Sequence, residues 1–171
     1  MAVALADWIT EELFTYRELH ADPHAGNFAC DDQGRLVIYD LGAVIPVPEA
    51  RLKAMMQLLD ATLSQDPMAM DDALMKMGGR LGAPLALYRE SAECITPLFA
   101  PVSRISAMCA FIAACGSSPQ SVGRHGSSSA PADTLLLSRA LNGHYWNLVR
   151  LKARLDMHDR TQPLLGWART A

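Results

Sequence analysis

The residues of this chain that could act together chemically fall in two short runs, His20-Ala-Asp-Pro-His-Ala-Gly-Asn27 and Asp40-Leu-Gly42. Asp22 and Asn27 stand five positions apart in a polar loop, and Asp40 closes an apolar stretch. Carboxylate and amide oxygens are the hard ligands that Mg²⁺ prefers. Phosphoryl transfer asks a protein mainly for positioning and for neutralisation of phosphate charge. In that chemistry Asp22 orients, or takes the proton from, the attacking hydroxyl or water. Asn27 and Asp40 hold one or two Mg²⁺ ions, and Gly42 frees the backbone to turn away behind the ligand.

A hairpin is the element that positions these groups. Asn27–Cys30 and Arg35–Asp40 read as two short strands, and Asp31, Asp32, Gln33 and Gly34 supply the turn between them. Asn27 then begins one strand and Asp40 ends the other, so a rigid spacer brings them side by side. This is the only β signal the sequence offers. Residues 2–19 read as one helix on the spacing of Leu5, Trp8, Ile9, Leu13 and Tyr16.

Everything after the hairpin reads as helix. Pro48 and Glu49 open a helix faced by Leu52, Met55, Met56, Leu59 and Leu63. Asp66 and Pro67 open the next, which stops at Gly78-Gly79. Pro84–Phe99 and Val102–Cys115 give two more, and residues 116–132, rich in Ser, Gly and Pro, read as a flexible loop. Asp133 caps a long helix to about Leu155, faced by Leu137, Leu141, His144 and Leu148. The fold class is mainly α with one small β-hairpin, read as a single domain over residues 1–171 with a helical bundle from 48 to 168.

Composition narrows the function. At 171 residues, half of them apolar and 19% charged, the chain can bury a core. Its net charge of −3 and lack of a dense Lys/Arg run argue against a nucleic-acid partner. Cys30, Cys94, Cys109 and Cys115 have no zinc spacing and read as reduced, mostly buried thiols of a cytoplasmic protein. No stretch reaches the roughly 18 apolar residues of a spanning helix. Arg150, Lys152 and Arg154, with Tyr145, Trp146 and Trp167 near them, leave a peripheral membrane contact open.

Protein kinases carry HRDxxxxN and then DFG, with the Asp and Asn at the separation seen here between Asp22 and Asn27. The run LHADPHAGNFACDDQGRLVIYDLGAV over residues 19–44 resembles the AarF/UbiB group of atypical kinase-like proteins. The late run DTLLLSRALNGHYWNLVRLKARLD is similar to that group's large lobe. The resemblance implies a protein-kinase-like C-terminal lobe, catalytic loop 20–27, ATP with Mg²⁺ as cofactors, and ATP hydrolysis or phosphoryl transfer. It also implies a lipid or quinone-pathway partner, through a link to ubiquinone biosynthesis. Asp22 and His20 take the catalytic positions, Asn27 and Asp40 the metal positions, and Asn27, Asp40 and Gly42 the cofactor-binding ones.

Two departures bear on activity. Ala21 stands where ordinary kinases have the Arg that reads a phosphorylated loop, and Leu41 replaces the usual Phe. No Gly or Lys precedes His20, so the phosphate-covering loop and the phosphate-pairing Lys of an N-terminal lobe are read as absent. The leading reading is therefore an incomplete site, from a split or truncated protein, that works only with a small lobe supplied elsewhere, and a non-catalytic interaction remnant is the alternative. A metallo-hydrolase using His20, Asp22 and His24 is a third. His20 itself reads more readily as packing beneath the Asp40-Leu-Gly turn than as a base.

Overall fold

The computed structural model describes residues 1–78, 85–99 and 132–170. They form two compact units, Met1–Glu49 with Ala132–Arg154, and Ala50–Pro131 with Leu155–Ala171. The elements are mostly helices, with two small antiparallel sheets.

The first unit opens with α1, Ala2–Glu11, which buries Leu5 and Ala6. The helix expected to run to residue 19 stops early. It loosens into a π turn over Glu12–Tyr16, and Arg17 takes a left-handed conformation (φ 58°, ψ 38°). Strand β1, Glu18–His20, follows. Its side chains explain the break. Leu19 and His20 are both 0% exposed, and neighbouring residues of a strand point to opposite faces, so each can meet its own cover.

β1 pairs antiparallel with β4, Val44–Pro46, in the register Glu18↔Pro46, Leu19↔Ile45, His20↔Val44. This second sheet corrects the expectation of a single hairpin. Three-residue strands are too short to show a period of two, and Ala43–Val47 read only as a link. The hairpin pairs β2, Phe28–Cys30, with β3, Leu36–Ile38. Its turn is held by Asp31, whose Oδ1 accepts from the backbone N–H of Gln33 (3.0 Å) and Arg35 (2.8 Å). Gly34 supplies the positive φ of 81° that the turn requires. Cys30, expected to be buried, is a free, exposed thiol. The side chain of Cys94 and the whole of Cys109 and Cys115 lie outside the described residues.

The long late helix belongs to this unit. It runs over Ala132–Arg150 (α5) and packs on α1 and β1. It ends short of Leu155 because Lys152 turns left-handed at φ 50°, and the Ala153 N–H closes back on the Leu148 carbonyl at 3.0 Å. Leu137 and Ala140 of α5 are buried with Leu5, Leu13, Leu19, Phe28 and Val47.

The second unit is all helical among the described residues: α2 (Glu49–Leu63), α3 (Pro67–Lys76), α4 (Leu85–Ile95) with a 3₁₀ turn to Phe99, and α6 (Met157–Arg169). Asp66 caps α3 as its Asp-Pro start suggests, accepting from the N–H of Met68 and Ala69. Ala61, Met70, Tyr88 and Ala92 form one buried cluster of this unit, and Leu52 and Leu165 are also fully buried. Met68 and Met75 stay exposed, so the methionine-rich stretch is only partly core. The readings for 102–115 and 116–131 fall outside the described residues. No described helix is long and apolar enough to cross a membrane.

Candidate functional site

The site is built over a buried cluster of rings. Trp8 of α1, His20 of β1, Phe28 of β2 and His144 of α5 pack with centroids 5.6–6.1 Å apart, mostly edge to face. Two imidazoles in such a place need polar partners, since an unpaired buried group costs free energy. His144 donates from Nε2 to the His20 carbonyl at 2.8 Å, and His20 donates from Nε2 to the Asp40 carbonyl at 2.5 Å. Neither Nδ1 has a partner. A carbonyl only accepts, so each ring carries a proton on the Nε2 that faces one. Burial holds the His144 pKa below 6.5, with the bond to His20 opposing it and the neighbouring His20 ring adding to it.

Beneath β1, Glu12 sits 4% exposed in the π turn and accepts the His20 backbone N–H at 3.1 Å. Burial pushes its carboxyl above the usual 4.5, and the His20 N–H pulls the other way. Its π turn bulges the end of the first helix just before β1 and the loop that carries Asp22.

From this base the loop emerges into solvent. Ala21 N–H donates to the Ala43 carbonyl at 2.6 Å, and Asp22 is exposed. Asn27 donates from Nδ2 to Asp22 Oδ2 at 2.9 Å and to the Asp22 carbonyl at 3.3 Å. A carboxylate only accepts, which fixes the amide's orientation and leaves Asn27 Oδ1 as the atom available to a cation. His24 caps the short turn Ala25–Asn27, its Nδ1 accepting from the Gly26 N–H at 3.1 Å.

Across the hairpin, the Tyr39 N–H donates to the Asn27 carbonyl at 3.0 Å. The ladder thus extends one residue past each strand, and Asp40 follows at once. Asp40 is exposed. Its Oδ1 accepts from the Gly42 N–H at 2.7 Å, and a Cβ on residue 42 would lie 2.9 Å from that oxygen. Gly42 is not among the positive-φ glycines. It serves by making room for the carboxylate rather than by an unusual turn.

The structure therefore joins Asp22 to Asn27 directly and carries Asp40 to the same end of the hairpin. His20 lies fully buried beneath, tied to Asp40 through the backbone. The remaining donor set, one amide oxygen and two exposed carboxylates, suits a hard cation such as Mg²⁺. Sequence reasoning missed most of the support on α5. Asn147, 6% exposed, donates from Nδ2 to the Pro23 carbonyl at 2.8 Å. Gly143 lets the helix close on the loop, for a Cβ there would fall 2.1 Å from Pro23 Cγ. A glycine inside a helix costs about 1 kcal/mol against alanine, so Gly143 was itself a signal of close packing.

With that geometry in place, the comparison with known families is specific. Residues 1–74 match the ABC1 atypical kinase-like domain. The matched segment contains Asp22, Asn27, Asp40 and Gly42. It is 31% identical over 70 residues to Protein ACTIVITY OF BC1 COMPLEX KINASE 8, chloroplastic, of Arabidopsis thaliana, which covers 40% of this chain and 9% of that protein. It is 40% identical over 58 residues, 34% of this chain and 10% of the relative, to the uncharacterized protein sll0095 of Synechocystis. This chain thus aligns with about a tenth of each relative. The ABC1 match stops before α5, so the likeness read in the late helix lies outside it.

Proposed function

We propose that this chain forms the acceptor- and metal-side of an AarF/UbiB-type atypical kinase or ATPase site, a large lobe that acts on ATP with Mg²⁺. The observation that carries the reading is the double hydrogen bond from Asn27 to Asp22, with Asp40 delivered next to Asn27 by the hairpin. Asp22 orients the attacking oxygen or accepts its proton. Asn27 Oδ1 and the Asp40 carboxylate hold the cation, which when bound neutralises phosphate charge. His20 positions the Asp40 peptide from below. Since no lysine precedes Lys53, the groups that cover the phosphates come from outside residues 1–52 in this reading.

The acceptor is proposed from the same likeness to be a lipid or a quinone-pathway molecule, or else water. Exposed Arg150, Lys152 and Arg154, with Trp146 38% exposed on α5, support contact with an anionic lipid surface. The alternative of a non-catalytic remnant keeps the fold without turnover, and the same experiment decides it. Phosphate release from MgATP is followed for this chain joined to the nucleotide-covering lobe of a longer relative. Asp22→Asn and Asp40→Asn each lower the rate by about 10²–10⁴-fold, the usual worth of a base or of charge stabilisation. Only Asp40→Asn also weakens Mg²⁺-dependent nucleotide binding. Turnover that survives both substitutions, or that follows Zn²⁺ and His24 instead, overturns the reading.

A further inference from the structure

The exposed carboxylate of Asp22 sits in a stretch whose backbone is pinned on both sides. The His20 carbonyl is held by His144 at 2.8 Å, the Ala21 N–H by the Ala43 carbonyl at 2.6 Å, and the Pro23 carbonyl by Asn147 at 2.8 Å. Two of these three ties come from α5, 124 residues further along the chain. The faces of α5 divide accordingly. Leu137, Ala140, His144 and Asn147 are buried, while Leu136, Arg139, Trp146 and Arg150 are exposed. Gly143 and Asn147 lie one turn apart and both meet Pro23.

We propose that Asn147 is a positioning residue for Asp22: by holding the Pro23 carbonyl it fixes where the Asp22 carboxylate meets Asn27. This rests on the phosphoryl-transfer reading for its purpose, though not for its geometry. An amide at 6% exposure must be desolvated, and an apolar side chain would fill the same place without that cost. What the amide adds is direction, a hydrogen bond to one carbonyl of the catalytic loop. His144 secures the loop where it leaves β1, and Asn147 secures it just after Asp22. Between these two anchors Asp22 accepts from Asn27 at 2.9 Å.

The test follows the Asn27 side-chain amide in the full chain by ¹⁵N–¹H NMR, which needs no turnover. Asp22→Ala first identifies the shift that reports the Asn27–Asp22 bond. Asn147→Asp keeps the shape but cannot donate to a carbonyl while ionised, and Met70→Ala, in the core of the second unit, controls for general loss of stability. The expected result is that Asn147→Asp moves the Asn27 signals toward their Asp22→Ala positions at neutral pH. As pH falls and the introduced carboxyl gains a proton it can donate, the signals return toward wild type. Met70→Ala leaves them in place. Asn27 signals unmoved by Asn147→Asp, or moved equally by Met70→Ala, overturn the proposal. If Asn147→Asp prevents folding, Asn147→Leu, which has a similar volume and no donor, is read in the same way. The phosphoryl-transfer reading is judged separately by Asp22→Asn and Asp40→Asn, so either can fail alone.

Discussion

The two units use the same residue types to opposite ends. In the first, buried polar side chains are directed at the backbone, and the Asp22 and Asp40 carboxylates are left in solvent. Glu12, His20, His144 and Asn147 are all under 9% exposed, and each bonds a main-chain group of β1, the loop that carries Asp22 or the Asp-Leu-Gly turn. In the second, the carboxylates are already engaged. Asp60 takes two bonds from Arg169, Asp72 pairs with Lys76, and Asp66 and Asp156 cap helices. Its shallow cavity of about 330 Å³ is lined by three of these, Asp60, Asp66 and Asp72, yet none is left to act. Asp22 and Asp40 each accept one neutral N–H donor through one oxygen and pair with no cation among the described residues, so each keeps its charge and a second oxygen toward solvent.

The contrast breaks most sharply at two helical glycines. Gly143 of α5 meets Pro23, where an added Cβ would approach to 2.1 Å, whereas Gly166 of α6 has nothing within 4 Å. Gly143→Ala should destabilise the chain by about 2–3 kcal/mol, the scale of overpacking a tight contact. Gly166→Ala should stabilise it by up to about 1 kcal/mol, from helix propensity alone. Urea unfolding midpoints of the two variants decide it. A neutral or stabilising Gly143→Ala would show that α5 does not bear on the loop that carries Asp22.

What the sequence made legible follows from the range of the interactions. The Asp22–Asn27 spacing, the hairpin with its Asp31 and Gly34 turn, and the Asp66-Pro67 helix start are all local, set by residues within a few positions of each other. The pairing of β1 with β4 spans 26 residues between Leu19 and Ile45, and too few residues take part to leave a pattern. The ties from His144 and Asn147 to the loop span 124. Nothing in the neighbourhood of Asn147 sets it apart from a surface amide, whereas His144 at least fell on the apolar face. The early end of α1 was hidden for the same reason, since the strand that interrupts it exists only once a partner arrives.

A smaller effect separates the units by pH. Burial holds His144 below its ordinary 6.5, so the unfolded chain takes up a proton before the folded one does. Stability is then complete above about pH 6.5 and falls as pH drops through the interval below it. Glu12 acts at lower pH with the opposite sign, because its raised value favours folding as pH falls toward 4.5. His144→Gln, which can still donate to the His20 carbonyl, should flatten the loss between pH 6.5 and 5.5 in unfolding midpoints. An unchanged slope in that variant would place the pH dependence elsewhere.

The smallest expected effect tests the other half of the comparison, that the ion pairs of the second unit are surface neutralisation rather than support. Arg169 approaches Asp60 through two hydrogen bonds, at 2.9 and 2.5 Å, and Asp60 holds the guanidinium above its ordinary value. The geometry is bidentate, which favours the pair, but both charges reach water and are screened. Arg169→Ala should therefore move the thermal midpoint less than either glycine substitution. The difference should shrink in 1 M NaCl, where the screening length falls to about 3 Å and exposed charge pairs are weakened. The neighbouring stack of Lys53 over Trp167, 5.4 Å from the ring centroid, gives α6 a second hold that is less sensitive to salt. Melting curves in low and high salt separate the two contacts. A salt-independent loss as large as that of Gly143→Ala would mean that Arg169 carries packing, and that the second unit too depends on a polar anchor.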